Sequence, residues 1–104
     1  MTPQLDKEIQ KTRPCVIVND DSVGILPLRV VVPLTDWKER YNVADWMIKI
    51  EVNNQNLLIK TSAADCFQVR SVSTNRFSHT KGGSISDSDM KLIEKALAIV
   101  LKIE

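Results

Sequence analysis

The chain has 104 residues, of which 43% are hydrophobic and 26% charged, and its formal net charge is +1. These values are ordinary for a soluble globular protein of one domain, and a nearly neutral chain gives no general attraction to nucleic acid. No apolar run approaches the roughly 20 residues that a transmembrane helix needs, and residues 1–6 contain no apolar signal core. Cys15 and Cys66 lie far apart in apolar segments, which favours buried free thiols and a cytoplasmic setting.

The first part of the chain predicts two strands after a charged loop. Residues 8–14 form the loop, and Pro14 fixes the backbone where the apolar strand at residues 15–18 begins. After the polar turn at residues 19–24, a long strand rich in valine is expected over residues 25–34. The polar residues 36–41 then predict a short helical turn or loop.

The middle of the chain predicts a hairpin and one further strand. Residues 46–52 roughly alternate between apolar and polar, which indicates a half-buried strand. Residues 53–56 form a turn, and residues 57–60 are expected to pair back as the second arm. A strand at residues 67–72 is predicted to point Phe67, Val69 and Val72 inward and Gln68 and Arg70 outward.

The end of the chain predicts a helix running from Ser86 to about Ile103. Ser86 is a suitable N-terminal cap, and Asp87 and Asp89 favour the positive end of the helix dipole. One side carries an apolar set: Met90, Ile93, Leu97, Val100 and Leu101. Further apolar residues widen that stripe: Leu92, Ala96, Ile99 and Ile103. We expect such a helix to contact both the core and a second subunit of a homodimer; the alternative is a helix buried wholly within one chain.

Several kinds of chemistry lack a sequence signal. The three glycines have no phosphate-loop spacing, and the single histidine, His79, cannot build a zinc site with two distant cysteines. No local signature supports a Ser-His-Asp triad. Catalysis would therefore depend on Arg, Thr, Glu and Gln without a metal or cofactor.

Four segments in the same order resemble motifs of one family, the MazF/PemK toxins of bacterial toxin–antitoxin systems. Residues 8–18 are similar to its first motif, and residues 32–35 to the strand that ends in a site threonine. Residues 64–72, with Gln-x-Arg at the centre, resemble the third motif, and residues 83–86 precede an apolar helix as in the family. The resemblance covers essentially the whole chain.

The resemblance implies a mainly β fold with a C-terminal helix, a small SH3-like barrel of the CcdB/PemK type. It also implies a homodimer that cleaves single-stranded RNA at selected sequences and is inhibited by a cognate antitoxin. In this family the ribose 2′-OH attacks the adjacent phosphorus without a metal, leaving a 2′,3′-cyclic phosphate and a 5′-OH.

Site residues follow from the resemblance position by position. Arg13 matches the arginine that stabilises the phosphate and transfers a proton, and Thr35 matches the threonine that hydrogen-bonds the scissile phosphate. Glu8 matches the loop glutamate that orients the arginine or assists the proton transfer. The expected RNA contacts are Gln68, Arg70, Lys11 and Trp37.

Each residue also has a purely structural interpretation. Thr35 can end a strand and cap the following turn, and Glu8 can be a solvated loop charge. Gln68 and Arg70 are also what the polar face of any half-exposed strand carries. Of the two tryptophans, Trp46 is expected in the core and Trp37 is the better candidate for base stacking.

Two departures from the family pattern bear on the prediction. The chain starts just after the family's usual first strand, which fits a misjudged start, a genuine short form that lacks this strand, or a variant that repairs the sheet edge through its dimer partner. Some members carry a carboxylate directly before the glutamine, where this chain has Phe67; Asp65 is two residues too early. The alternative functions are a catalytically silent module that binds nucleic acid or an antitoxin, and an SH3-like domain that binds proteins.

Overall fold

A computed structural model describes residues 5–7, 14–20, 27–76 and 82–103. The strands are β1 (Leu5–Lys7), β2 (Pro14–Ile17), β3 (Leu28–Asp36), β4 (Met47–Ile50), β5 (Ser62–Asp65) and β6 (Arg70–Ser73). Short 3-10 turns occupy Glu39–Val43, Cys66–Gln68 and Thr74–Arg76, and helix α1 spans Asp87–Leu101. The strands pair antiparallel in the order β1-β2-β3-β5-β4, and β6 also pairs with β3. The predicted mainly β fold with a C-terminal helix is confirmed, although the sheet does not close into a barrel within the described residues.

Strand β3 is the centre of the sheet because it pairs with three other strands. Its residues 31–33 pair with β2, residues 28–31 with β6 and residues 34–36 with β5. Side chains of β3 also enter hydrophobic clusters on both faces, Val32 and Leu34 on one and Val31 on the other, which explains a run of valines where a half-exposed strand would alternate.

Two hydrophobic clusters lie on opposite faces of the sheet. The main cluster contains Val16, Val32, Leu34, Ile50, Ala64, Cys66, Ile85, Met90, Ile93 and Ala96. The second cluster contains Cys15, Val31 and Val72. Since successive side chains of a strand point to opposite faces, neighbouring residues of β3 contribute to different clusters.

The strand predicted over residues 67–72 is interrupted at its start. Leu34 pairs with Ala64, and Val31 pairs with Arg70. Between these paired positions β3 has two residues, 32 and 33, whereas the facing segment has five, 65–69. The facing segment therefore contains three residues more than the ladder can pair. The 3-10 turn Cys66–Gln68 accommodates them, and we call it the bulge turn. A bulge of this kind leaves residues outside the strand ladder.

The bulge turn corrects the predicted orientation of one side chain. Phe67, predicted to point inward, is 67% exposed. Val69 and Val72 do pack inward, but Val69 contacts the main cluster and Val72 belongs to the second. The predicted inward orientation was therefore wrong for Phe67, because the turn takes this residue out of the strand. Val69 and Val72 are three residues apart and lie on opposite faces, as alternation requires.

Helix α1 confirms the predicted end of the chain. The Ser86 hydroxyl accepts a hydrogen bond from the Asp89 backbone N–H at 3.2 Å and so caps the first turn. Lys102 ends the helix in a left-handed conformation, with φ 61°. The buried residues Met90, Ile93 and Ala96 belong to the main cluster. Other apolar side chains of this region are exposed: Leu92, Ile99, Leu101 and Ile103.

Strand β1 pairs antiparallel with β2 and places Leu5 opposite Val16. One further expectation about strands was wrong. The predicted hairpin arm at residues 57–60 does not form; β4 pairs instead with β5, and Ile50 faces Ser62. Leu57 adopts a left-handed conformation, with φ 56°, which a continuous strand would not allow.

The connection between β4 and β5 is fixed to the segment before α1. The Ser84 backbone N–H donates to the Gln55 carbonyl at 2.9 Å. At Gly83 a Cβ atom would overlap the Gln55 carbonyl oxygen, so only glycine permits this approach. In the described part of the chain, no helix is long and apolar enough to cross a membrane.

Candidate nucleic-acid interface

The predicted site residues divide into two groups. Glu8, Lys11 and Arg13 lie outside the described residues. The described ones are Thr35, Trp37, Gln68 and Arg70. The geometry of the interface is therefore built from β3, β4, β5 and the bulge turn.

Thr35 lies near the end of β3, in a row of three residues across the sheet. It pairs with Ala63 of β5, and Ala63 pairs in turn with Lys49 of β4. Directly paired residues share one face of a sheet, and neighbouring strands lie roughly 4.8 Å apart. Thr35 and Lys49 are therefore on the same face, with the small, fully buried Ala63 between them.

Trp37 is held at one end of this row by several contacts. Its backbone N–H donates to the Thr61 carbonyl at 3.2 Å, and its indole N–H donates to Glu39 Oε1 at 3.3 Å. Its ring meets the Tyr41 ring edge-to-face, with 5.8 Å between centroids. The Lys49 Nζ lies 5.3 Å from the Trp37 ring centroid, a cation–π contact. The position of Trp37 beside the row containing Thr35 is compatible with its predicted role in RNA contact.

Asp65 and Gln68 are brought together by the bulge turn. Gln68 Nε2 donates to Asp65 Oδ2 at 2.8 Å, and Asp65 Oδ1 is buried with no hydrogen-bond partner in the described structure. Asp65 follows Ala63 by two residues, which places it on the face of the sheet that carries Thr35. The carboxylate that seemed misplaced in the sequence therefore contacts the predicted RNA-binding glutamine.

Arg70 begins β6 and is half-buried. It pairs with Val31, which lies four residues before Thr35 on β3. Gln68 and Arg70 were predicted to share one strand, but the bulge turn contains Gln68 and the strand begins only at Arg70. The two side chains therefore belong to different local structures on the same edge of β3.

An exposed aromatic pair beside Gln68 was missed by the sequence analysis. Trp46, expected in the core, is 42% exposed, and its ring meets the Phe67 ring edge-to-face with 5.9 Å between centroids. The Cys66 backbone N–H donates to the Trp46 carbonyl at 2.9 Å, which fixes the bulge turn against this tryptophan. The sequence analysis also missed Lys49. The alternation predicted for this strand places Lys49 two residues after Met47 and therefore on the same face of the sheet.

The model of one protein family, the PemK-like, MazF-like toxins of type II toxin–antitoxin systems, matches residues 1–101. The chain belongs to this family. The predicted resemblance to the MazF/PemK toxins is thereby confirmed. No curated protein matches the chain.

Solved structures of MazF proteins have the same fold. The Mycobacterium tuberculosis toxin MazF-mt6 superposes with a TM-score of 0.80 at 16% identity, covering 98% of each chain. An endoribonuclease in complex with its cognate antitoxin, from a mycobacterial species, gives a TM-score of 0.75 at 14% identity and covers 99% of this chain and 94% of that one. The MazE–MazF complex of Deinococcus radiodurans gives 0.75 at 12% identity, with 97% and 94% covered.

The two cysteines of this MazF/PemK family member lie inside the fold. Cys15 and Cys66 are buried free thiols, as predicted. Burial, together with the smaller effect of the neighbouring charge of Asp65, raises the pKa of Cys66 from 9.0 to about 12. A thiol with so high a pKa is a poor nucleophile at neutral pH. Among the described residues, no three His, Cys, Asp or Glu side chains gather closely enough to hold a metal ion.

Proposed function

We propose that this protein is a sequence-selective endoribonuclease toxin that cleaves single-stranded RNA without a metal ion. The observation that carries the proposal is the family match over residues 1–101. The arrangement of Thr35, Lys49 and Gln68 around one face supports it, because this face offers donors and a cation to a phosphate backbone.

The proposed reaction is an internal transfer at phosphorus. The ribose 2′-OH attacks the adjacent phosphorus, the bond from phosphorus to the 5′ oxygen breaks, and a 2′,3′-cyclic phosphate and a 5′-OH remain. The 2′ proton leaves to a base, and the 5′ oxygen gains a proton as it departs. Such a reaction requires stabilisation of negative charge on the non-bridging phosphate oxygens.

The proposed catalytic roles are divided among three side chains. Arg13 stabilises the developing charge and transfers a proton, because its guanidinium is a permanent cation with several donors. Thr35 donates its hydroxyl hydrogen to the scissile phosphate. Glu8 orients Arg13 or accepts the proton of the 2′-OH. Phe67 occupies the position where some members carry a carboxylate, so this chain does not use a base at that position.

The proposed RNA contacts lie around the catalytic residues. Gln68 has one amide hydrogen committed to Asp65, so its second N–H and its carbonyl oxygen remain for a base edge. Trp37 offers an aromatic surface, and Lys11 and Arg70 contribute positive charge. Asp65 fixes the carboxamide of Gln68 and is therefore a positioning residue.

The proposed partners are a cognate antitoxin and a second copy of the chain, in the cytoplasm. Two of the structural neighbours are complexes of a MazF-type protein with an antitoxin. The exposed apolar residues of α1, which include Leu92 and Ile99, support a homodimer formed through this helix and the sheet. In such a dimer, each chain would cover the apolar surface of the other and shield it from water.

The test is incubation of purified protein with a long single-stranded RNA in excess EDTA, followed by mapping of the cut ends. We expect discrete cuts with 5′-hydroxyl ends. Thr35→Val keeps the shape of the side chain but loses its donor, and should reduce kcat about 100-fold, as loss of one transition-state donor does. Thr74→Val, in a turn after β6, is the matched control and should cleave normally.

The result separates the proposed activity from its alternatives. Cleavage that is equally fast in Thr35→Val would refute the role of this threonine, and Arg13→Ala tests the arginine in the same way. Binding of RNA without cleavage by a folded dimer supports the silent binding module. If the protein has no affinity for RNA even at low salt, where electrostatic binding is strongest, the result supports the SH3-like protein-binding domain.

A further inference from the structure

Lys49 is the one cation of the described sheet that lies in the same cross-strand row as Thr35. Both residues pair with Ala63, one from each side, so their side chains emerge from the same face. Two strand spacings of roughly 4.8 Å put their backbones about 10 Å apart. Lys49 is exposed, and its side chain extends to Trp37, two residues beyond Thr35 in the chain.

The ammonium group of Lys49 keeps its hydrogen-bonding capacity. Within the described residues no carboxylate lies within 4.0 Å of it, whereas Lys60 is paired with Asp36 at 3.0 Å. Its contact is the ring face of Trp37, which attracts a cation through its quadrupole and supplies no oxygen acceptor. Three N–H donors are therefore available to a ligand.

The acid that accepts the indole N–H of Trp37 is already engaged. Glu39 accepts the indole N–H of Trp37 through Oε1 and an amide hydrogen of Asn42 through Oε2, at 3.3 Å in both cases. These bonds hold the tryptophan ring and satisfy the carboxylate. The ring is thus a fixed support on which the lysine side chain rests.

We propose that Lys49 binds a phosphate that flanks the scissile one, with Trp37 holding the ammonium in position. This inference rests on the proposed ribonuclease function. A flanking phosphate fits because Lys49 Nζ lies over the ring of Trp37, two residues beyond Thr35 in the chain, so Lys49 and Thr35 would contact successive parts of one RNA strand. RNA is favoured over an acidic protein because the same face carries Gln68, whose free amide groups suit a base edge.

The experiment measures RNA affinity against salt concentration. The probe is an oligonucleotide containing the mapped cleavage site, with a 2′-deoxy sugar at that position so that it cannot be cut. Fluorescence anisotropy then gives the slope of log K against log salt for the parent protein, Lys49→Gln, Lys49→Arg and Lys91→Gln. Lys91 lies exposed on α1 and serves as the matched control.

We expect Lys49→Gln to reduce the magnitude of the slope by about 0.7, the value for one phosphate contact on a single strand. Lys49→Arg should restore it, and Lys91→Gln should leave it unchanged. In cleavage assays the loss should appear in KM with kcat retained, because a flanking contact is made equally in the ground and transition states.

The outcomes distinguish this inference from the proposed function. An unchanged slope in Lys49→Gln, while the parent protein binds and cleaves RNA, overturns the role of Lys49 alone. A parent protein that neither binds nor cleaves RNA overturns the ribonuclease function, and the phosphate contact with it. If Lys49→Gln instead weakens binding of a poly-glutamate peptide with the RNA slope unchanged, the lysine serves a protein partner and the inference is wrong.

Discussion

Asn56 provides the sharpest test of how the connection between β4 and β5 is held. The residue is 2% exposed, although asparagine is usually found at the surface. Its Oδ1 accepts hydrogen bonds from the backbone N–H groups of Asn53 at 3.3 Å and Leu58 at 3.0 Å. Its Nδ2 donates to the Glu51 carbonyl at 2.8 Å. One side chain therefore satisfies three backbone groups of the loop.

Asn56→Ala removes all three bonds and leaves their backbone partners unsatisfied. A hydrogen bond contributes about 1 kcal/mol net, and an unsatisfied buried group costs about 1–3 kcal/mol. We expect the variant to lose about 3 kcal/mol of the free energy of unfolding. This is a large share of the roughly 5–15 kcal/mol that stabilises a natural domain.

Urea unfolding followed by circular dichroism measures this loss. With a slope near 2 kcal/mol per M, a loss of about 3 kcal/mol moves the midpoint down by roughly 1.5 M. Asn54→Ala, in the same turn but exposed, is the matched control and should stay within about 0.5 kcal/mol of the parent. Equal midpoints for the two variants would show that the three bonds of Asn56 do not hold the loop.

Two further predictions concern backbone conformation and pH. Leu57→Asn should raise the midpoint of urea unfolding by an amount equivalent to about 0.5–1 kcal/mol, because asparagine tolerates the left-handed conformation better and the leucine side chain is largely exposed; an unchanged or lower midpoint would contradict this. Cys66 ionises near pH 9.0 when unfolded but only near 12 when folded, so its contribution to stability is complete below pH 9 and is lost as the pH rises toward 12. Between pH 8.5 and 10.5 the parent should lose about 2 kcal/mol more than Cys66→Ala, and parallel pH profiles of unfolding free energy would refute the raised pKa.

The sequence predicted the elements that local signals define. The apolar run at residues 15–18 and the valine-rich segment before Thr35 form β2 and most of β3. Helix α1 was predicted nearly to its ends because Ser86 caps it and the apolar period is regular. The family motifs point to Thr35 and Gln68 as site residues, since each motif is contiguous in the chain.

The sequence did not predict the features that depend on pairing between distant segments. The bulge turn exists because β3 pairs with residues on both sides of it, and no local pattern near Phe67 reveals that register. Lys49 joins the row of Thr35 only through Ala63, which lies on a strand that the sequence analysis did not predict. Trp46 was misjudged because a large aromatic residue at the start of a strand resembles a core residue until its neighbours are known.

Because β3 lies at the centre of the sheet, this domain should unfold in one cooperative transition. The strand joins β2, β5 and β6, and it supplies side chains to the clusters on both faces. Any opening that releases β3 dissolves both clusters together, so no partly folded form keeps one of them intact. Thr35 lies on this same strand. The candidate site therefore exists only while the entire domain is folded, and a cell that degrades the unfolded chain leaves no active fragment.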